Sequence, residues 1–253
     1  MTDVSHISEL SSPAFAKLAA AGNLVVLLPV GSVEPHGPHM SLTTDTTISI
    51  GAARRAAALL AADDIVAVLA PPVAYGVTEC AAAFPGAVSI GASTLTAFLA
   101  DVARGYLGSG VAHVCLINNH LEPAHDSAVR EAVKGIDGAS VACPLERRWA
   151  RTLSAEFKSG ACHAGQYETS LILAEAPGGV DTAVCAGLAA NPASLSEALA
   201  KGITDFVEMG LPDAYAGDPA SATADEGEAL YGRLAEMVRT TVLEALPRDG
   251  RGQ

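Results

Sequence analysis

The sequence has few aromatic residues for its length, which limits the kinds of core that it can form. Of its 253 residues, 4% are aromatic and 50% are hydrophobic in all. A hydrophobic fraction this large excludes an intrinsically disordered chain. Small aliphatic side chains suit helices packed closely on a sheet better than an aromatic-rich β-sandwich. The length fits one large α/β domain, and we predict a single domain over residues 1–253.

Positive charge is also scarce. The chain carries 15 lysines and arginines against 28 aspartates and glutamates, a formal net charge of -13. Such a field repels phosphate backbones and anionic lipid surfaces. We therefore predict that neither nucleic acid nor a membrane is a partner.

Long apolar runs are absent. The first ten residues contain acids and no apolar stretch typical of a secretory leader, and Leu24–Val30 is far too short to span a bilayer. These features predict a soluble, cytoplasmic protein.

Paired cysteines and the common nucleotide-binding motifs are missing too. The five cysteines include no CxxC pair, which favours reduced thiols over disulfides and excludes a zinc finger. No GxGxxG or GxxxxGK[ST] motif follows a predicted strand, which argues against a Rossmann-type nucleotide binder.

Short β-branched runs alternate with alanine-rich stretches, a pattern typical of a parallel sheet covered by helices on both faces. This predicts a three-layer α/β/α fold with a mostly parallel sheet. The predicted strands are Leu24–Val30, Ile65–Ala70, Val114–Ile117 and Ser140–Cys143. The predicted helices are Thr46–Ala62, Ser93–Leu107 with Ser93 as N-cap, Glu122–Ile136, Ser194–Glu208 and Asp225–Leu246. Leu211–Ala224 is expected to be a loop, with a subunit contact as one role for it.

Polar residues follow the first strand, where open α/β sheets bind their ligands. Glu34 and His36 are two residues apart, so in extended backbone their side chains point the same way, and Asp45 follows nearby. Carboxylate and imidazole together suit a divalent ion such as Zn²⁺ or Mn²⁺. Each residue also has a plainer interpretation: a polar loop for the pair, and a helix N-cap for Asp45.

The third predicted strand ends in a mirror image of this pair. His120 and Glu122 are again two residues apart, followed by Pro123. Glu122 could equally be a simple helix N-terminal acid, with Pro123 at the first helical position. Two copies of one constellation at two strand ends nevertheless favour the metal site, with Asp45 as a bridge between two ions.

A third cluster contains His163 and Glu168, with Gly165 allowing a sharp turn before a helix. Spacing alone leaves His163 as either structural or catalytic. Glu168 could be an acid of the first helical turn, a hydrogen-bonding neighbour of the site, or another ligand. Among the other histidines, His6 and His113 are expected at the surface or a strand edge, and His39 and His125 behind the ligands at most.

Four ordered segments resemble the creatininase family. LPVGSVEPHGPHMSLTTDT resembles the family signature LPVGSxEQHGPHLPLxTD, and YGVTECAAAFPGAVSIG resembles its YGxSxEHxxFPGTISL segment. LINNHLEP and HAGQYETSLIL resemble its strand-end NGH segment and its HAGxxETSLML segment. The similarity covers about Leu24 to Leu173.

The resemblance implies a creatininase-like fold and a binuclear metal hydrolase. It places Glu34, Asp45 and His120 on one ion and His36, Asp45 and Glu122 on the other, with His163 as the catalytic residue. Some relatives lack a glutamate at the position of Glu122, and Glu168 is the alternative ligand in that case. The ions would be Zn²⁺ or Mn²⁺, with Fe²⁺ as a further alternative. The resemblance also implies a homo-oligomer, a hexamer, that acts on a small molecule.

Departures from the family pattern bear on the substrate. The usual histidine of the xEH pair is Cys80 here, creatininase's aromatic residue between the ligands is Leu121, and its Trp-Asp pair before the catalytic histidine is absent. We therefore expect amide hydrolysis of a small cyclic amide, a lactam, other than creatinine. Thr78, Glu79, Cys80 and Leu121 are the candidate pocket residues.

Two alternatives stay open at this point. Within the same chemistry, the family also permits a formamide deformylase or a short-peptide hydrolase such as the mycofactocin-precursor peptidase. From another class, the chain could be a metal-binding regulatory paralogue without hydrolysis, although a complete ligand set together with His163 argues against it.

Overall fold

A computed structural model describes residues 5–246, and these fold around one parallel sheet. The four strands are β1 (Leu24–Val30), β2 (Val66–Leu69), β3 (His113–Asn118) and β4 (Ala139–Ala142), in the order β2-β1-β3-β4. All three neighbouring pairs are parallel, as in Val26 opposite Val114 of the central pair. The carboxyl ends of β1 and β3 therefore meet at one edge of the sheet.

Ten α-helices are assigned within the described residues. They are α1 (Ser12–Ala19), α2 (Thr44–Ala61), α3 (Ala92–Gly108), α4 (Pro123–Val133), α5 (Arg147–Ala150), α6 (Ala155–Ser159), α7 (Gln166–Glu175), α8 (Thr182–Cys185), α9 (Leu195–Ala200) and α10 (Ala224–Ala245). Short 3₁₀ turns lie at Ile7–Glu9, Pro177–Gly179 and Pro219–Ser221. No helix in this part of the chain is both long and apolar enough to cross a membrane.

Side-chain alternation along β1 divides the core into two layers. Val25 and Leu27 pack on one face with α2, α7 and α10, whereas Leu24, Val26 and Leu28 pack on the other with α3 and α4. Alternate residues of a strand point to opposite faces, so a strand that is apolar throughout needs cover on both sides. The predicted three-layer α/β/α class is confirmed.

The start of α3 and the extent of α9 differ from the sequence predictions. Helix α3 begins at Ala92 with Gly91 as N-cap, so the proposed Ser93 cap is wrong. The predicted helix Ser194–Glu208 is only α9, because the chain turns at Gly202, whose φ of +78° is outside the helical region. The apolar residues beyond it, including Phe206, instead pack against Cys80.

The predicted loop Leu211–Ala224 is irregular apart from one 3₁₀ turn, but much of it is buried against the strand-end loops. The carbonyl of Ala214 accepts a hydrogen bond from the backbone N–H of Gly37 at 2.8 Å, and the N–H of Ala216 donates to the carbonyl of His163 at 2.7 Å. A subunit contact for this segment stays a prediction. The sequence expectations for residues 1–4 and for the tail 247–253 lie outside the described residues.

The contact between α7 and α10 depends on a glycine. A Cβ atom added at Gly227 would lie 2.6 Å from the backbone carbonyl carbon of Ser170. We predict that Gly227→Ala lowers the free energy of unfolding by about 1–3 kcal/mol, because the backbone of α7 must shift. Gly232 of the same helix has open space around it, so Gly232→Ala should instead raise stability by up to about 1 kcal/mol. Chemical denaturation of both variants checks this, and equal effects would refute the close approach.

Candidate active site

The candidate site lies at the carboxyl ends of β1 and β3. The loop after β1 carries Glu34 and His36, and the turn after β3 carries His120 and Glu122. Gly31 lets the end of β1 approach the first turn of α2, because a Cβ there would lie 2.6 Å from the backbone nitrogen of Thr46. This approach brings Asp45, on that turn, between the two histidines.

Asp45 presents one oxygen to each histidine. Its Oδ1 lies 3.2 Å from Nε2 of His36, and its Oδ2 lies 3.1 Å from Nδ1 of His120. The Ser32 hydroxyl donates to Oδ2 at 2.7 Å and fixes the carboxylate. The N-cap interpretation of Asp45 is wrong, since α2 starts at Thr44, its N-cap is Thr43, and no side chain caps it.

Hydrogen bonds to carbonyl groups fix the orientation of both imidazoles. Nδ1 of His36 lies 3.1 Å from the carbonyl oxygen of Glu34, and Nε2 of His120 lies 2.7 Å from that of Val77. If these nitrogens carry the protons, the other nitrogen of each ring presents a lone pair to Asp45. Nε2 of His36 is buried and has no hydrogen-bond partner. A lone pair that faces a carboxylate oxygen at this distance needs a proton or a metal cation between the two atoms. A divalent ion can take the place of that proton, so the donor set fits divalent ions.

The potential ligand atoms form three overlapping groups, each within 4.8 Å. One contains Glu34, His120 and Glu122, a second contains His36, Asp45 and Glu168, and a third contains Glu34, His36 and His163. Nε2 of His36 lies 3.6 Å from Oε2 of Glu168. The family resemblance instead pairs His36 with Glu122. In this chain Glu122 lies on the His120 side, and Glu168 occupies the place beside His36.

Glu122 also holds the neighbouring loop. It is the N-cap residue of α4, but its side chain makes no cap bond there. Its two oxygens instead accept hydrogen bonds from the backbone N–H groups of Glu79, at 2.9 Å, and Cys80, at 3.1 Å. The side-chain hydroxyl of the adjacent Thr78 donates to Glu34. The segment thus connects the two glutamates of one ligand group.

His163 lies beside Glu34 and His36, with which it forms the third group. Its Nε2 is 3.0 Å from the carbonyl oxygen of Pro35, and its Nδ1 is 3.9 Å from Oε1 of Glu34. Its ring centroid is 4.6 Å from that of His36 and 4.5 Å from that of Phe206. Burial, followed by the charge of His36, lowers the pKa of His163 to about 4. The imidazole is therefore neutral near pH 7, with Nδ1 open as a proton acceptor.

The charged ligands perturb one another. Burial lowers the pKa of His36, but the carboxylates of Asp45 and Glu168 outweigh it and raise the value to about 10. Burial raises the pKa of Glu168 to about 8 despite the nearby His36. For Asp45, burial acts upward and the two histidines act downward, and the histidines hold its pKa well below the usual range. In a cleft such opposed shifts are typical of functional sites.

A cavity of about 300 Å³ opens onto the ligands. Of the predicted pocket residues, Cys80 and Leu121 line it. The hydroxyl of Thr78 instead donates a hydrogen bond to Glu34, and the side chain of Glu79 is exposed. Sequence reasoning missed most of the remaining lining. It comes from α5 and the residues flanking it, from α6, from α9 and from the turn after α9: Leu145, Arg147, Ala150, Arg151, Phe157, Lys158, Leu195, Leu199, Phe206 and Met209. No motif marks these residues.

The other histidines are buried or near the sheet. His39 shares a 2.9 Å hydrogen bond with the hydroxyl of Thr169, next to Glu168. His125 accepts from the N–H of Val77 at 3.2 Å and packs edge-on against His120. Both lie behind the ligands. The expectation that His113 is a surface or edge residue is wrong, because it is buried on central strand β3. His6 is half-buried beside β2.

Comparison with known proteins agrees with this architecture. The family model for creatininase, described as creatinine amidohydrolase, matches residues 8–242. The mycofactocin precursor peptide peptidase of Mycolicibacterium smegmatis is 35% identical over 221 residues, which cover 85% of this chain and 81% of the relative.

Solved structures show the same fold. A creatininase structure described as the Mn form has a TM-score of 0.74 at 21% identity, covering 97% of this chain and 100% of its own. A creatininase mutant of Zn-Zn type has a TM-score of 0.73 at 21% identity, with the same coverage. The family match spans both strand-end ligand pairs as well as the sheet that carries them. The chain belongs to the creatininase family of amidohydrolases.

Proposed function

We propose that this chain is a two-metal amidohydrolase that cleaves a peptide-type C–N bond. The observation that carries the proposal is the position of Asp45, with one oxygen directed at each of two imidazoles that belong to different ligand groups. A carboxylate so placed can bridge two divalent ions. Glu34, His120 and Glu122 would complete one ion's ligands, and His36 and Glu168 the other's.

Divalent ions held in this way activate water and polarise the substrate carbonyl. The chain's own groups then have two tasks. The neutral His163 can accept a proton from the activated water at Nδ1, while the Pro35 carbonyl holds the other ring nitrogen in place. The same Nδ1 can pass that proton to the departing nitrogen, which needs it because an amide anion is a very poor leaving group.

The apolar cavity favours a peptide-type substrate. Its volume of about 300 Å³ and its wall of Leu121, Phe157, Phe206 and Met209 accommodate an apolar side chain beside the scissile amide. The similarity to a mycofactocin precursor peptide peptidase supports the same class of substrate. We therefore place a short peptide first, ahead of the cyclic amide that the sequence favours.

A small cyclic amide is the second candidate, supported by the family's description as creatinine amidohydrolase. Creatinine itself is disfavoured because Leu121 stands between the ligands. Trp149, on α5, packs against the core and is not among the cavity-lining residues. Formamides are a further alternative. A metal-binding regulatory protein without catalytic activity remains the alternative from another class.

The first experiment discriminates these substrates. Metal-reconstituted protein is incubated with short peptides that place an apolar residue at the scissile bond, with five- and six-membered lactams, and with N-substituted formamides. We expect release of a new amine from the peptides, detected by mass spectrometry. Hydrolysis of lactams alone would reinstate the cyclic-amide assignment. Stable metal binding without turnover of any compound would instead favour the regulatory role.

Metal content tests the bridge. Elemental analysis of protein purified without chelator and resupplied with Zn²⁺ or Mn²⁺ should approach about two equivalents per chain. Asp45→Asn should lose both ions, because each depends on one of the two oxygens. Glu168→Gln should keep about one, with the Glu34 and His120 group intact. Asp101→Asn, which changes an exposed acid on a helix, is the control. Two full equivalents of bound metal in Asp45→Asn would show that Asp45 does not bridge the ions.

The role of His163 is tested by changing the leaving group of the substrate. His163→Ala should keep its fold and near-normal metal content while kcat on an amide falls by about 10²–10⁴-fold. An ester analogue should lose less, because an alkoxide leaves with less need of a proton. His113→Ala serves as the control, since that imidazole lies on β3 and bonds the Ser140 hydroxyl. Equal losses on amide and ester would mean that His163 only orients the substrate.

A further inference from the structure

Three basic side chains lie at the solvent end of the cavity. Arg147, Arg151 and Lys158 line it and are exposed, whereas the carboxylate ligands at its base are buried. Arg147 and Arg151 are four residues apart on the turn formed by α5 and its C-cap, so they share one side of that turn. Arg148, between them, leaves this side and contacts Glu146 and Glu244.

None of these three cations forms an ion pair with an acid among residues 5–246. Most other described arginines do contact acids: Arg54, Arg55, Arg104, Arg130, Arg148 and Arg239. On a chain with a net charge of -13, acids to pair with are plentiful. Three uncompensated cations on one cavity rim are therefore a local departure from the charge of the whole molecule.

The charge at the base of the cavity does not compensate the rim. The acids that line the cavity are Glu34, Asp45, Glu122 and Glu168, all in the first two ligand groups. Two divalent ions would balance these four carboxylates. The buried Phe157, Phe206 and Met209 also line the cavity, and the ring centroid of Phe206 lies 4.5 Å from that of His163. With the ions bound, the cavity would combine a neutral base and apolar walls with exposed basic side chains.

We infer that the substrate is an acidic peptide, with an apolar residue at the scissile amide and one or more carboxylates farther along the chain that contact Arg147, Arg151 and Lys158. This inference rests on the proposed amidohydrolase function. An apolar residue fits the apolar walls of the cavity, and a carboxylate pairs with arginine in a bidentate manner. Exposed pairs of this kind contribute mainly to selection and capture of the substrate and weaken with salt.

The test compares two peptides that differ in charge alone. Both carry the same apolar residue at the scissile amide, and one has glutamates where the other has glutamines, placed in turn on each side of that bond. The triple variant Arg147→Gln, Arg151→Gln, Lys158→Gln should lower kcat/KM for the acidic peptide by about 10-fold or more, chiefly through KM. The glutamine peptide should be unaffected, and salt should reduce only the acidic preference of the parent protein.

A matched triple variant controls for the change in net charge. Lys17→Gln, Arg104→Gln, Arg233→Gln removes one lysine and two arginines that do not line the cavity. It should leave the ratio of kcat/KM for the two peptides unchanged. Equal cleavage of both peptides by the parent protein, or equal losses in the two triple variants, would overturn the inference while leaving the amidohydrolase intact.

Peptide binding separates this inference from the proposed function. Fluorescence anisotropy of the same labelled peptides on metal-loaded His163→Ala protein measures affinity where turnover is slow. Tighter, salt-sensitive binding of the acidic peptide that disappears in the rim variant supports the inference even if no peptide is hydrolysed. Equal affinities for the two peptides would refute it.

Discussion

The site depends on the placement of one carboxylate between two imidazoles. Asp45 can face His36 and His120 together only because the end of β1 and the first turn of α2 approach each other at Gly31. Buried charge of this density is costly unless each group is paired or bound to a metal. The surrounding loops contribute hydrogen bonds from Ser32 and Thr78 that hold Asp45 and Glu34 in place. Metal occupancy and a folded site are therefore expected to stabilise each other.

A separate set of hydrogen bonds holds the segment that carries His163. Glu156 on α6 accepts hydrogen bonds from the backbone N–H groups of Gln166, Tyr167 and Asp218, at 3.0, 2.8 and 2.7 Å. It thereby joins the start of α7 to the segment that bonds the carbonyl of His163. His163 and Glu168 are thus anchored to the same hydrogen-bonded part of the fold. The same segment reaches β1's loop through Ala214 and Gly37.

Much of this could be predicted from sequence because it depends on local spacing. A two-residue spacing identifies both strand-end pairs, Glu34 with His36 and His120 with Glu122. Continuous apolar runs identify the buried strands. Which imidazole lies beside Glu122 and which beside Glu168 could not be predicted. It depends on which backbone N–H groups each carboxylate meets across the fold, and Glu122 meets those of Glu79 and Cys80. The cavity wall was missed for a similar reason, since Gly202 ends the predicted helix and turns Phe206 inward.

The rim illustrates a further limit of sequence patterns. Arg147, Arg148 and Arg151 look alike along the chain, yet only the structure separates the arginine that pairs with Glu244 from the two that face the cavity. Composition suggested a protein that repels anions. The structure instead places three exposed basic side chains around the cavity, and net charge describes long-range behaviour rather than the field in a cleft.

Anomalous diffraction from crystals loaded with Zn²⁺ or Mn²⁺ tests directly whether Asp45 bridges two ions. We predict two anomalous peaks with Asp45 in contact with both, one beside Glu34 and His120 and the other beside His36 and Glu168. A single peak, or two peaks of which one does not touch Asp45, would contradict it.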